Sequence, residues 1–189
     1  MLGKSWKIYI VLFLFAVPFI SFILIVTGTM PITILCFSVD SAERLYIGFA
    51  EEICVYEDAV KIHSFSSPTS RAYVFTITED GEILLATTTC VYQLDLQGNV
   101  KDMTQDPSGE VYRTLKHQAS RFTTEEGDTY RIQSSLWWPR IIKNNTEVVY
   151  RISSVAFAAK MVAFLGFVSW PFAVIWMYKT SKTRTGSLS

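Results

Sequence analysis

The sequence predicts a membrane-anchored all-β protein, in which an N-terminal and a C-terminal transmembrane helix flank an antiparallel β domain. Two observations predict the helices: no charged residue lies between Lys7 and Asp40, and none lies between Lys160 and Lys179. A third predicts the domain, because short segments between these stretches alternate apolar and polar residues. The resulting segments are a cytoplasmic tail (1–7), transmembrane helix (8–28), juxtamembrane segment (29–37), β domain (38–152), transmembrane helix (155–178) and basic cytoplasmic tail (179–189).

Both apolar segments are long enough to cross a bilayer, which takes roughly 20 apolar residues. Ile8 to Gly28 meets this length without a charge, and Val155 to Tyr178 meets it with Lys160 near one end, where the ammonium group can reach the interface. The first segment is longer than the h-region of a signal peptide, at about 7 to 15 residues, and no Ala-x-Ala site follows it. We therefore expect an uncleaved anchor.

The charges predict how these helices are oriented. All 17 Asp and Glu residues lie between Asp40 and Glu147, so residues 38–152 carry a formal charge of −6, whereas the charged residues of the two short tails are all basic. Short basic segments favour the cytoplasmic side, and long loops are translocated largely regardless of charge. We expect both termini in the cytoplasm and residues 38–152 on the extracytoplasmic side. The negative charge of this domain would repel phosphate groups, so we do not expect nucleic acid as a partner.

The middle of the chain shows the clearest strand pattern. Tyr73–Thr78 and Glu82–Thr87 flank Asp80-Gly81, which predicts a hairpin with a type I′ turn. Cys90–Leu96 and a strand from Val100 follow, separated by a Gln-Gly-Asn turn. Four strands therefore fall within about 32 residues.

Similar patterns on both sides of this segment define three units, at about 38–70, 71–111 and 112–152, in which Ala42, Gly81 and Gly127 align at intervals of about 39 and 46. The units resemble the blades of a β-propeller, although no motif indicates a specific family; a plain antiparallel meander or sandwich is the alternative. A closed propeller typically has at least about four blades. The resemblance therefore implies either a homodimer whose two chains complete one ring, or a protein partner or the bilayer covering the exposed edge.

No residue pattern predicts catalysis, a cofactor or a metal. His63 and His117 lack metalloprotease spacing, and we place His63 at a strand end and His117 in a solvated loop or strand. Most carboxylates lie in predicted turns. The carboxylates that flank equivalent turns are a weak candidate for a calcium site; they are Asp80, Glu82, Glu126 and Asp128. Three cysteines lack zinc spacing: Cys36 is expected as apolar filler, and a disulfide between Cys54 and Cys90 stays open.

Two groups of residues are candidates for contacts. Trp137, Trp138 and Pro139 interrupt the third unit, and adjacent tryptophans cannot both face one sheet core, so we expect a partner or membrane contact there or a loop packed back onto the domain. In the second helix the small residues Ala159, Ala163 and Gly166 suit close helix packing.

These features predict a membrane protein that displays an extracytoplasmic β domain as a binding or accessory module for another membrane or extracellular protein. The alternatives are a membrane-anchored hydrolase or lyase with a propeller-type cleft, and a ligand sensor that signals through a partner.

Overall fold

The computed structural model describes residues 5–26, 33–70, 72–124, 126–133 and 138–185. Its helices within these ranges are α1 (Ser5–Val26), α2 (Glu110–Gln118) and α3 (Ser154–Thr185). The chain divides into two compact units. We call the unit that contains α1 and α3 the helical unit, and residues 31–152 the β unit.

In the helical unit, α1 and α3 pack against each other. Gly166 of α3 lies so close to Pro18 of α1 that a β-carbon at position 166 would collide with the proline ring. Nearby, the rings of Phe15 and Trp170 have centroids 4.5 Å apart. The absence of a side chain at Gly166 therefore permits the close approach of the two helices.

Apolar length differs between the two helices. Among the described residues, Ser154–Phe172 is the one helical segment long and apolar enough to cross a membrane, whereas Phe15–Ile25 is apolar but shorter. Length and composition thus support one spanning helix, and the fold does not show the two-pass topology that the sequence predicts.

The β unit consists of three four-stranded antiparallel sheets within the described residues. Sheet 1 comprises β1 (Cys36–Val39), β2 (Leu45–Gly48), β3 (Glu52–Glu57) and β4 (Val60–Ser66). Sheet 2 comprises β5 (Val74–Ile77), β6 (Ile83–Ala86), β7 (Cys90–Leu94) and β8 (Val100–Gln105). Sheet 3 comprises β9 (Arg121–Thr123), β10 (Thr129–Gln133), β11 (Arg140–Lys143) and β12 (Glu147–Arg151).

Within each sheet the strands are neighbours in chain order, so every sheet is a simple meander. Propeller blades have this connectivity. The prediction of a mostly β domain built from three repeated antiparallel sheets is confirmed.

Sheet 1 packs against both other sheets. One apolar cluster includes Ile53 of sheet 1 with Phe75 and Leu85 of sheet 2, and a second includes Ile47 of sheet 1 with Tyr130 of sheet 3. All of β1 and β2 is buried, whereas β8 is exposed throughout and β4 over most of its length. In sheets 1 and 2, the first strand is therefore inside and the fourth outside.

The first hairpin of each sheet turns in the same way. A side-chain oxygen at the turn's first residue accepts a hydrogen bond from the backbone N–H four positions on, at Asp40, Thr78 and Thr124. The residue three positions on has a positive φ, at Glu43 (60°), Gly81 (72°) and Gly127 (92°).

This geometry corrects two details of the prediction. A type I′ turn requires positive φ at both central residues, but only Gly81 has it in the turn predicted at Asp80-Gly81, so that assignment is wrong. The predicted alignment of Ala42 with the two glycines is displaced by one residue, because Glu43 adopts the left-handed conformation.

Three elements lie where the sequence did not indicate them. β1 begins at Cys36, before the predicted start of the domain at residue 38, and β9 and α2 were not predicted at all. His117 therefore lies on a helix rather than in a loop or strand, and His63 lies within β4 rather than at its end.

Candidate ligand-binding pocket

A pocket of about 420 Å³ lies where residues of β1, β5 and β9, the first strands of the three sheets, meet the C-terminal end of α2. Ligand sites commonly have volumes of about 300 to 1,000 Å³. The residues that line it are Phe37, Phe75, Thr76, Leu115, His117, Gln118, Arg121, Phe122 and Thr123. Every sheet of the β unit therefore contributes to this one cavity.

Helix α2 forms one side of the pocket because an apolar stripe attaches it to sheet 2. Val111, Leu115 and Ala119 recur at four-residue spacing, and all three belong to the core that includes that sheet. At the other end, Asp106 Oδ2 accepts a hydrogen bond of 3.1 Å from the Val111 N–H, which satisfies a backbone donor of the first turn. These contacts fix the last turn of α2, where His117 lies, at the pocket.

The lining is apolar at its base and polar at its rim. Phe37 and Phe75 are each 2% exposed, whereas His117, Gln118 and Arg121 are exposed. None of the nine lining residues is Asp, Glu, Ser, Cys or Lys. Within the described residues the lining contains no carboxylate, thiol or amine, whereas the imidazole of His117 and the guanidinium of Arg121 can form hydrogen bonds.

The predicted tryptophan contact lies elsewhere. Trp137 is outside the described residues. Trp138 is 37% exposed, and its Nε1 donates a hydrogen bond of 3.3 Å to the backbone oxygen of Ile152. Pro139 is half-buried. Neither Trp138 nor Pro139 lines the pocket, and their contact with a partner or the membrane stays a prediction.

The predicted small-residue face of α3 is half-buried at Ala159, Ala163 and Gly166. Gly166 is the member that lies against Pro18. A packing role for the two alanines stays a prediction.

One cluster of carboxylates in the hairpin turns has a lysine beside it. Carboxylate oxygens of Glu43, Glu126 and Asp128 lie within 4.8 Å of one another. However, Lys143 Nζ is 2.6 Å from Asp128 and 3.5 Å from Glu43. Hydrogen bonds from Asn144 and Lys143 hold the pKa of Asp128 below its ordinary value. The lysine supplies a positive charge to this cluster, which therefore gives no ground for proposing calcium.

All three cysteines are free, so the Cys54–Cys90 disulfide does not form in the structure. Burial raises the pKa of Cys36 to about 12 and that of Cys54 to about 11. Because the thiolate is the reactive form, these two thiols are inert at neutral pH.

The sequence does not indicate the pocket residues as a group. β9 has only three residues, too few for alternation to be recognised. The four-residue spacing of Val111, Leu115 and Ala119, just after Pro107 and Gly109, is a signal that would have indicated α2.

No protein-family model and no curated protein sequence matches the chain. Among solved structures, it is similar to a protein of unknown function from Bacteroides caccae, with a TM-score of 0.32 and 14% identity over 62% of this chain and 44% of that one. It is also similar to a streptogramin B lyase, with a TM-score of 0.32 and 12% identity over 65% of this chain and 42% of that one. The chain thus spans less than half the length of either structure.

Proposed function

We propose that this chain is an integral membrane protein that displays its β unit on the extracytoplasmic side as a binding module for another membrane or extracellular molecule. The pocket between the three sheets carries the proposal, because it combines a buried aromatic base with an exposed hydrogen-bonding rim. Such a combination is typical of binding sites.

The membrane part of the proposal rests on the helices and on the charges. Ser154–Phe172 has the length and composition of a spanning segment. The first helix, Ser5–Val26, has no charged residue after Lys7. With both helices inserted, the acidic β unit would lie outside and the basic tails inside, in accord with the positive-inside tendency.

Filling the pocket tests the binding role. Thr123 is exposed on β9 and lines the pocket, so Thr123→Trp would occupy the cavity without disturbing a buried core. Thr104→Trp is the matched control, because Thr104 is exposed on β8 and does not line the pocket. Full-length protein and both variants are purified in mild detergent from the native membrane, and co-purifying molecules are quantified by mass spectrometry.

We expect a stoichiometric companion with the unmodified protein and with Thr104→Trp, and at least about a tenfold reduction with Thr123→Trp. If the protein is a homodimer, the companion is a second copy of the chain, which the mass of the complex would identify. Equal recovery with both variants, or no companion with any of them, would contradict a binding role for the pocket.

A further inference from the structure

Two arginines face each other across neighbouring strands, and one of them, Arg121, lines the pocket. Arg121 of β9 is directly opposite Arg131 of β10, so both side chains lie on the same face of sheet 3. Both are exposed, and neither side chain forms an ion pair or a hydrogen bond within the described part of the chain. Directly opposed like charges destabilise a sheet, so this arrangement has a cost that nothing within the described residues of the β unit offsets.

The same face of sheet 3 carries further arginines. Register places Gln133 opposite Arg140, and Arg140 opposite Arg151. The four arginines on this face are therefore Arg121, Arg131, Arg140 and Arg151, and none of the strand residues on the face is Asp or Glu. In a β unit with a formal charge of −6, this concentration of positive charge is unlike the rest of its sequence.

Only one of these arginines lines the pocket. Arg121 contributes to the lining together with Phe75 and Phe122, whereas Arg131, Arg140 and Arg151 do not. Arg140 Nε already donates a hydrogen bond of 2.6 Å to Gln133 Oε1. Arg121 is therefore the part of the basic face that adjoins an apolar cavity, and Arg131 is its directly opposed neighbour.

We propose that the pocket binds an anionic group, a carboxylate or phosphate, carried by an aromatic or aliphatic body. The guanidinium groups of Arg121 and Arg131 hold the anion at the rim, and the phenylalanine side chains at the base hold the apolar body. This inference rests on the proposed binding function and specifies its ligand chemistry.

The geometry of arginine favours this ligand class. Each guanidinium presents a planar fork that matches two oxygens of a carboxylate or phosphate. Residues directly opposite in adjacent strands have β-carbons about 5 Å apart, so both side chains can reach one anion. The C-terminal end of α2 carries roughly half a negative charge, which two full positive charges exceed. A bound anion would also relieve the repulsion between the two arginines.

Fluorine NMR tests the proposal on full-length protein in phosphatidylcholine nanodiscs, with empty nanodiscs subtracted. The probes are a trifluoromethyl-substituted phenylacetate, its neutral amide and the corresponding aryl phosphate. We expect one or both anions to bind at least about tenfold more tightly than the amide, since hydrogen bonds to charged groups contribute about 1.5 to 3 kcal/mol. The tighter of the two anions identifies the headgroup.

Arginine variants locate the anion. We expect Arg121→Gln and Arg131→Gln each to weaken anion binding by about tenfold while leaving the affinity for the amide unchanged. Arg151→Gln is the matched control, since Arg151 is an exposed arginine on the same face but on β12, at the opposite edge of sheet 3 from Arg121. It is expected to leave anion binding unchanged.

Three results would overturn the inference: equal binding of anion and amide, equal weakening by Arg151→Gln and Arg121→Gln, or no binding of any probe. The proposed function fails separately, in the comparison of Thr123→Trp with Thr104→Trp, so the two failures are distinguishable.

Discussion

At the scale of single residues, the hydroxyl group of Tyr73 connects sheet 2 to sheet 1. It donates hydrogen bonds of 2.5 Å to the backbone oxygen of Phe49 and of 3.2 Å to that of Glu52. The side chain is only 2% exposed, and burial raises the pKa of Tyr73, so the hydroxyl remains a donor at any physiological pH. Removing it would leave a buried carbonyl group without this partner.

We expect Tyr73→Phe to lower the free energy of unfolding by about 1 to 3 kcal/mol, the cost of leaving a buried polar group unsatisfied. The measurement is urea unfolding of the full-length protein in detergent, followed by near-ultraviolet circular dichroism. Tyr92→Phe is the control, because Tyr92 is half-buried and its hydroxyl makes no hydrogen bond within the described residues. Equal effects of the two variants would show that the Tyr73 hydroxyl contributes nothing specific.

At the scale of elements, the hairpin between β7 and β8 packs against the outer strand of sheet 1. Gly98 has φ of 91° in this turn, and a β-carbon there would collide with the ring of Phe65 in β4. The Asp95 carboxylate shapes the turn by accepting hydrogen bonds from the N–H groups of Gln97 and Asn99. Gly98 is therefore constrained both by its backbone conformation and by its neighbour.

Gly81 has only the backbone constraint. Its φ is 72°, but a β-carbon added at this position would meet no described atom within 4 Å. We expect Gly81→Ala to cost about 1 kcal/mol of unfolding free energy through backbone strain alone. Gly98→Ala should cost a further 1 to 3 kcal/mol, roughly, through overpacking against Phe65. Urea unfolding measures both, and Phe65→Ala added to Gly98→Ala should restore part of the loss. Equal costs at the two glycines would contradict the packing of this hairpin on β4.

Strands joined by clear turns are predictable from the sequence, whereas elements fixed by tertiary packing are not. β5 and β6 follow from alternation around Gly81, and the structure has them at Val74–Ile77 and Ile83–Ala86. β1 has no alternation to recognise, because all four of its residues are buried. A strand buried on both faces and a three-residue strand such as β9 both lack a period-two signal.

The candidate site was less predictable than the fold because its residues are distant in sequence. Phe37, Phe75 and Phe122 meet only after three sheets have packed, and no local pattern encodes that meeting. The sequence predicted a contact at Trp138, which lies outside the pocket lining. An aromatic residue in an unusual local context is conspicuous in a sequence, whereas one in an ordinary strand is not.

At the scale of the whole molecule, two features of the β unit disfavour a homodimer in which two chains complete one ring. Sheet 2 already carries α2 on β5 and β6. The face of sheet 3 opposite its core carries four arginines, and burying them against another sheet would leave charges unpaired at a cost of several kcal/mol. A partner that presents an anion to the pocket avoids this cost, so we favour a different molecule over a second copy.

The central claim is that the pocket faces the extracytoplasmic side, and cysteine labelling in intact cells tests it most directly. In a Cys90→Ser background, where Cys36 and Cys54 are buried, Ser120→Cys places one thiol at an exposed position beside the pocket. Ser187→Cys places one in the C-terminal tail. We predict that a membrane-impermeant maleimide labels Ser120→Cys in intact cells and Ser187→Cys only after permeabilisation. Labelling in the reverse order would contradict the account.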